Sequence, residues 1–297
     1  MEYGRNLRLV LLLALLAAGL AGCTHVFFQP HKALMDTPGR FGLDYQPIDI
    51  RAEDGTTLFA WFFPARGTPQ ATVLYLHGNA ENISTQFANV AWLPANGFNV
   101  LALDYRGYGA SEGSPSIEGV LMDIDAAMTT LLARPDVDPQ RIVIFGQSLG
   151  GALAIHYAAN SRHRENVRAV VADSPFSDYQ LIAREKLASF FLTWPFQWLA
   201  STSINNDYSP QASVRKLSPI PLLLIHGDRD SIVPPHHSQR LYERAAEPKN
   251  IWLVPDTGHI QALKERSIRQ RLAAFLEKEA RPAGPSASAA HGSTARP

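Results

Sequence analysis

Six short, mostly apolar runs, spaced by stretches of helical length, constrain this chain more than any other feature. They are Ala71–Leu76, Asn99–Leu103, Arg141–Phe145, Val167–Ala172, Pro221–Ile225 and Asn250–Val254. Runs without polar alternation suit strands buried on both faces. The intervening stretches, about 83–95, 116–133, 149–161, 236–246 and 260–279, read as helices. Strands alternating with helices predict a mostly parallel sheet covered on both sides. Upstream, Tyr45–Arg51 and Thr57–Phe63 flank Glu53-Asp54-Gly55, the signature of a hairpin turn. The expectation is an α/β fold with eight strands, the first two antiparallel.

The segment 177–218, between the sixth and seventh strands, breaks the alternation. It carries Tyr179, Phe190, Phe191, Trp194, Phe196 and Trp198, and is read as a short helical cap, some of whose aromatics line an apolar site. Residues 23–44, with Pro30, Pro38, Gly39 and Gly42, read as a linker. The tail 280–297 is Pro, Ala, Ser and Gly without apolar periodicity, the composition of a disordered segment. One domain over 45–279 remains.

Formal charge is zero, with 27 basic and 27 acidic residues and no basic cluster. Binding to a phosphate backbone needs clustered Lys and Arg, so nucleic acid is not an expected partner. Arg5 and Arg8 precede the apolar run Leu9–Leu20, which ends in small residues. That is the pattern of a secretory signal, and the run is shorter than the ~20 residues of a spanning helix. Leu20-Ala21-Gly22-Cys23 contains the only cysteine of the chain and resembles the bacterial lipobox. The resemblance implies a signal peptide 1–22, lipidation of Cys23 and a membrane anchor of acyl chains. Thr24 stands where Asp would retain such a lipoprotein at the inner membrane. The expected location is therefore the outer membrane of a bacterial envelope, facing the periplasm.

Gly146-Gln147-Ser148-Leu149-Gly150 joins the fifth strand to a helix. A serine there sits on a tight turn that exposes its Oγ, with glycines where side chains would collide. The following helix aims its positive end at developing negative charge. A serine hydroxyl needs a base, and His259 follows the last strand. A carboxylate is expected after the seventh strand, where both Asp228 and Asp230 stand. Backbone N–H groups of Leu149, after the serine, and of Asn79, in the His77-Gly78-Asn79-Ala80 loop after the third strand, are placed as oxyanion donors. No metal or organic cofactor is implied.

Ala71–Asn79, Asp104–Ser111, Gly146–Gly150, Asp173-Ser174-Pro175-Phe176, His226–Val233 and Thr257-Gly258-His259 together resemble the α/β-hydrolase superfamily. The likeness is greatest to its serine aminopeptidase-like, monoacylglycerol-lipase-like and depalmitoylase-like branch. Its H-G-x-x-D-x-x-V pattern, matched by His226–Val233, favours Asp230 over Asp228. The resemblance implies a monomeric serine hydrolase acting on a small acyl ester, thioester or lipid-like substrate. A serine peptidase would use the same three residues but needs a carboxylate for the substrate amine. A non-catalytic binding lipoprotein is the third reading.

Overall fold

The computed structural model of this protein describes residues 27–189 and 192–280. The leader 1–22, Cys23, His25, Phe190, Phe191, His291 and the tail from 281 onward lie outside the described residues. Eight strands form the main sheet: β1 (Gln46–Arg51), β2 (Thr57–Phe63), β3 (Ala71–Leu76), β4 (Phe98–Asp104), β5 (Ile142–Gln147), β6 (Val167–Asp173), β7 (Leu222–Gly227) and β8 (Lys249–Val254). Their order is β8-β7-β6-β5-β3-β4-β2-β1. β2 runs antiparallel to both β1 and β4, and every other pair is parallel. The turn between β1 and β2 closes through Gly55, at φ 86°, whose N–H donates to Ala52 O at 2.9 Å.

The continuous apolar strands split into two cores by the period of two. Leu74, Leu76, Ile142 and Ile144 face one side, with Ile117, Val120 and Ile124 of helix α1 (Ile117–Leu132) and Leu153 of α2 (Leu149–Asn160). Val73, Tyr75, Val143 and Phe145 face the other, with Leu272 and Leu276 of a C-terminal helix, Arg266–Ala280. Burial on both faces is why these strands carry no polar alternation. α1 starts where the sequence places it because the Ser116 side chain accepts the Gly119 N–H at 3.0 Å.

Three stretches differ from expectation. The helix read over 83–95 is one turn, Ile83–Gln86, followed by 3₁₀ turns at Phe87–Asn89 and Pro94–Asn96. Pro94 cannot donate, the Trp92 indole N–H takes Asn89 O, and Gly97 turns left-handed at φ 82°. The helix read from 260 starts at Arg266, because Ile260 is left-handed at φ 48° and Glu265 is extended. The stretch read as a linker is packed on the body from Phe27 onward: Gln29–Pro30 pairs in parallel with Ala80–Glu81, and Phe28 is buried. Its prolines and glycines mark a 3₁₀ turn at Pro38–Phe41 rather than loose chain.

The region after β6 is helical, as expected of a cap. It holds α3 (Tyr179–Ser189), then Trp194–Phe196, Leu199–Ser203, Pro210–Ser213 and Val214–Leu217, and after β7 comes α4 (His236–Arg244). β3 and β5 are neighbours, but β4 lies beyond β3 and β6 beyond β5. The chain therefore winds outward in opposite directions from this pair, the point at which such sheets open a crevice.

Candidate active site

Ser148 stands at that crevice, between the last residue of β5 and the first of α2, with φ 52° and ψ −116°. A non-glycine residue holds this conformation only when its surroundings over-determine it. Its own N–H donates to Asp173 O at 2.8 Å. A Cβ on Gly146 would collide with Gly150 O, and one on Gly150 with Leu76 O. Both glycines are thus required by close backbone approach, which is what the pentapeptide implied. Behind the turn, Tyr75 OH donates to Gln147 Oε1 at 2.6 Å and Gln147 Nε2 to Asp173 Oδ2 at 2.9 Å. Burial pushes the Asp173 carboxyl up.

His259 and Asp230 come from loops after β8 and β7. Nδ1 of His259 lies 2.6 Å from Asp230 Oδ2. A carboxylate accepts, so Nδ1 carries the proton and Nε2 is left to act as base. Asp230 Oδ1 accepts the N–H groups of Ile232 and Val233, each at 2.9 Å. Burial works against its charge, but hydrogen bonds from His226 and His259 outweigh it and hold its carboxyl well below the usual range. Asp228 is exposed, and its Oδ1 takes only a 3.4 Å bond from Thr257 N–H. Asp256 pairs with Arg229. The structure therefore brings Asp230, not Asp228, to the histidine.

His226 is part of this arrangement, although it enters the sequence reading only within the H-G-x-x-D-x-x-V pattern. Its Nε2 donates to Val233 O at 2.7 Å and lies 3.2 Å from Asp230 Oδ2, while its Nδ1 faces the Ser238 hydroxyl at 2.7 Å. Ser174 was also missed. Held at φ 53°, it receives the Ile260 N–H on Oγ at 3.2 Å and so fixes the residue after His259.

Among the described residues, no acceptor takes the N–H of Asn79 or Leu149. The neighbouring Gly78 N–H is already used, donating to Gln86 Oε1 at 3.1 Å. Tyr105 OH donates to His77 O at 2.9 Å and Tyr108 OH to Asn79 O at 2.6 Å. The Asp104–Ser111 motif thus shapes the loop beside the pocket.

Ser148, Leu149, Asn79 and His259 all line one cavity of about 910 Å³. Its walls are mainly apolar, with Phe27, Phe176, Ile182, Phe196, Leu199 and Ile232 among them; Glu81 and Lys186 are the charged side chains. Of the cap aromatics described, only Phe196 reaches the wall. Tyr179 is buried beneath it, and Trp194 and Trp198 are 58% and 57% exposed.

Glu185 of α3 bonds Nε2 of His236 at 2.9 Å and Nε2 of His237 at 3.0 Å, and the three ligand atoms would be close enough to hold a metal. Ser177 N–H donates to His237 Nδ1 at 3.1 Å, however, so the ring proton sits on Nε2 and faces the carboxylate. This group is a hydrogen-bonded latch between the cap and α4, with no lone pair on His237 free for an ion.

The model of the family described as serine aminopeptidase, S33, matches residues 67–217. The chain is 39% identical to the uncharacterized protein YfhR of Escherichia coli (strain K12) over 238 residues, 78% of this chain and 80% of that one. It is 36% identical to the alpha/beta hydrolase domain-containing protein WAV2 of Arabidopsis thaliana, covering 72% and 71% of the two chains. Among solved structures, the Pyrococcus furiosus esterase Pf2001 is similar with a TM-score of 0.68 and 25% identity, over 85% of this chain and 97% of that one.

Proposed function

The chain belongs to the serine aminopeptidase S33 family of α/β hydrolases, and from that premise we propose that it cleaves carboxylic ester or thioester bonds of apolar acyl substrates through an acyl-serine intermediate. The observation that carries this reading is the 2.6 Å Asp230–His259 pair opening, with Ser148, on one mainly apolar cavity. His259 Nε2 takes the Ser148 proton as Oγ attacks the carbonyl carbon. The N–H groups of Asn79 and Leu149 hold the oxyanion. The leaving alcohol or thiol receives the proton from His259, and a water activated by the same ring hydrolyses the acyl-serine. Asp230 keeps the imidazole in the required tautomer.

An apolar cavity of this size suits an acyl chain. The peptidase reading rests on a single carboxylate, Glu81, which is exposed and already accepts the Thr85 hydroxyl at 2.5 Å. We further propose that Cys23 is lipidated and holds the enzyme to the bacterial envelope, at the outer membrane facing the periplasm, with lipid-like esters as its substrates.

The test is a panel of p-nitrophenyl esters of increasing chain length, with aminoacyl anilides alongside, on wild type and Ser148→Ala. Hydrolysis of octanoyl or decanoyl esters ahead of acetyl esters and anilides, abolished by Ser148→Ala, is expected. Preference for the anilides would turn the reading to a peptidase, and turnover surviving in Ser148→Ala would remove the nucleophile.

A further inference from the structure

The loop that supplies the proposed oxyanion donor is held carbonyl by carbonyl. Gly78 O accepts His77 Nδ1–H at 2.7 Å, and Ala80 O accepts Gln86 Nε2 at 2.5 Å. Asn79 O accepts the Tyr108 hydroxyl at 2.6 Å and also the Gln29 N–H at 2.9 Å. Glu81 O accepts the His31 N–H at 3.4 Å. Two of these donors belong to a segment some fifty residues earlier in the chain, which lies beside the loop as a two-residue parallel pair. Glu81 is left-handed at φ 66°, an unfavourable conformation for a residue with a side chain. Pro30 pairs with it in register, and the following N–H takes its carbonyl.

The same segment reaches the other wall of the cavity. Phe27 lines the cavity and packs on Phe176 and edge-on against Tyr179, with centroids 6.3 and 4.8 Å away. Gln29 lines it beside Asn79. Residues Phe27–His31 therefore strap the base of the cap to the loop of the oxyanion donor.

We infer that this amino-terminal strap is a positioning element of the oxyanion hole: its Gln29 and His31 N–H groups fix the Asn79–Ala80 and Glu81–Asn82 peptides, and through them keep the preceding Asn79 N–H in place for the reacting carbonyl. The inference rests on the proposed acyl-serine mechanism. The Asn79 N–H shares its peptide with Gly78 O, which His77 Nδ1–H holds; the adjoining Asn79–Ala80 peptide, if unheld, can rotate about its flanking bonds and carry the Asn79 N–H off the oxyanion. The effect is confined to the transition state, because the ground-state ester carries little charge on that oxygen. Gln29 and Tyr108 share one carbonyl, so either donor alone preserves part of the alignment.

Gln29→Pro removes the N–H while keeping an extended backbone at the edge of a sheet. Gln29→Ala removes the side chain but keeps the N–H. Tyr108→Phe removes the other donor. On a p-nitrophenyl octanoate assay, Gln29→Pro is expected to lower kcat about tenfold with KM within twofold, and Gln29→Ala to lose much less. Full loss of one oxyanion donor costs about 10²–10³ in kcat, and the double variant Gln29→Pro/Tyr108→Phe should approach that range, losing more than the product of the two single effects. Binding of a trifluoromethyl ketone analogue should weaken in proportion to kcat, while binding of octanoate as product stays. Circular dichroism melts check that each variant is folded, and Tyr108→Phe with the analogue carries the test if Gln29→Pro does not fold. The inference is overturned if kcat is unchanged in both Gln29→Pro and Tyr108→Phe, if KM moves instead of kcat, or if Gln29→Ala costs as much as Gln29→Pro. A wild type without esterase activity would overturn the mechanism itself, a result distinct from any of these.

Discussion

Asp230 Oδ2 and His259 Nδ1 are 2.6 Å apart, although their loops follow different strands and lie 29 residues apart in the chain. Asp228, two residues before Asp230, is exposed, and its carboxylate accepts only a 3.4 Å bond from the Thr257 N–H. The Asp230 carboxylate holds the imidazole proton on Nδ1, and that proton leaves Nε2 as the ring's acceptor. Asp230→Asn is accordingly expected to lose several orders of magnitude in kcat, since the wrong tautomer costs about 10⁴-fold in serine proteases. Asp228→Asn should lose less than about threefold. Steady-state ester hydrolysis by the two purified variants decides it, and the reverse ranking would move the acid to Asp228.

The turn at Ser148 makes a second prediction, about stability. A methyl group on Gly150 would fall on the carbonyl of Leu76 in β3, and one on Gly146 on the carbonyl of Gly150. Neither neighbour is the free end of a flexible side chain, so the backbone itself must shift. Overpacking of this kind costs about 1–3 kcal/mol, and 1 kcal/mol lowers the melting temperature by roughly 2–4 °C in a domain of this size. Gly150→Ala should therefore melt about 5–10 °C below wild type and lose most of its activity. A melting point within a degree of wild type would mean the turn has more room than the backbone geometry allows.

The difference between what could and could not be read from the sequence follows from the range of each interaction. The strands were legible because burial on both faces removes polar alternation locally. Ser148, His259 and the aspartates were legible because each follows a strand at a fixed place in the order. His226 and Ser174 were not, because their part depends on bonds to Val233, Asp230 and Ile260 made only after the sheet is assembled. The strap was read as a linker because Pro30, Pro38 and Gly39 look alike whether the chain is loose or turning. The adjacent Phe27 and Phe28 were the signal that this stretch buries something.

Cavity volume makes a third prediction. Ala183 of α3 is one of the small cap residues that line the cavity, together with the larger Ile182, Leu187 and Phe196. Ala183→Trp would fill the space that two or three terminal methylenes of a chain would occupy. Each buried methylene contributes about 0.8 kcal/mol, so kcat/KM for decanoyl esters should fall by roughly 10–50-fold while acetyl esters stay within about threefold. An equal loss across all chain lengths would mean that the acyl chain lies elsewhere.

The cap latch carries a pH dependence. His237 is buried, and burial, with smaller contributions from the nearby His236 and His226 rings, lowers its pKa to about 4 against the pull of Glu185. Its ordinary value in the unfolded chain is about 6.5. Below that pH the unfolded chain takes up a proton that the folded protein refuses. This contribution to stability is thus complete above about pH 6.5 and is lost as pH falls toward 4. At pH 5 the loss from this ring alone is about 2 kcal/mol. His237→Gln should be less stable than wild type at pH 7.5 but show a shallower decline in melting temperature between pH 7 and 5. Parallel declines in the two proteins would show that His237 does not carry the acid sensitivity.

The proposed anchor and the cavity make the last prediction together. Phe27 lines the cavity and Cys23 precedes it by four residues, a reach of at most about 14 Å even fully extended. Acyl chains on Cys23 would therefore hold this wall of the cavity at the membrane surface. The protein is formally neutral, so electrostatic attraction to anionic lipid would contribute little in their absence. Native protein expressed in a Gram-negative host should incorporate labelled palmitate and sediment with membranes. Replacing residues 1–23 by an ordinary secretory signal should release a soluble periplasmic enzyme. The two forms should hydrolyse a water-soluble p-nitrophenyl ester at the same rate, because the site itself is unaltered. On an ester embedded in vesicles, the anchored form should be faster by at least tenfold, because tethering raises the local concentration of substrate. Absence of palmitate from the native protein would refute the anchor, and equal rates on vesicles would refute its role in delivering substrate to the cavity.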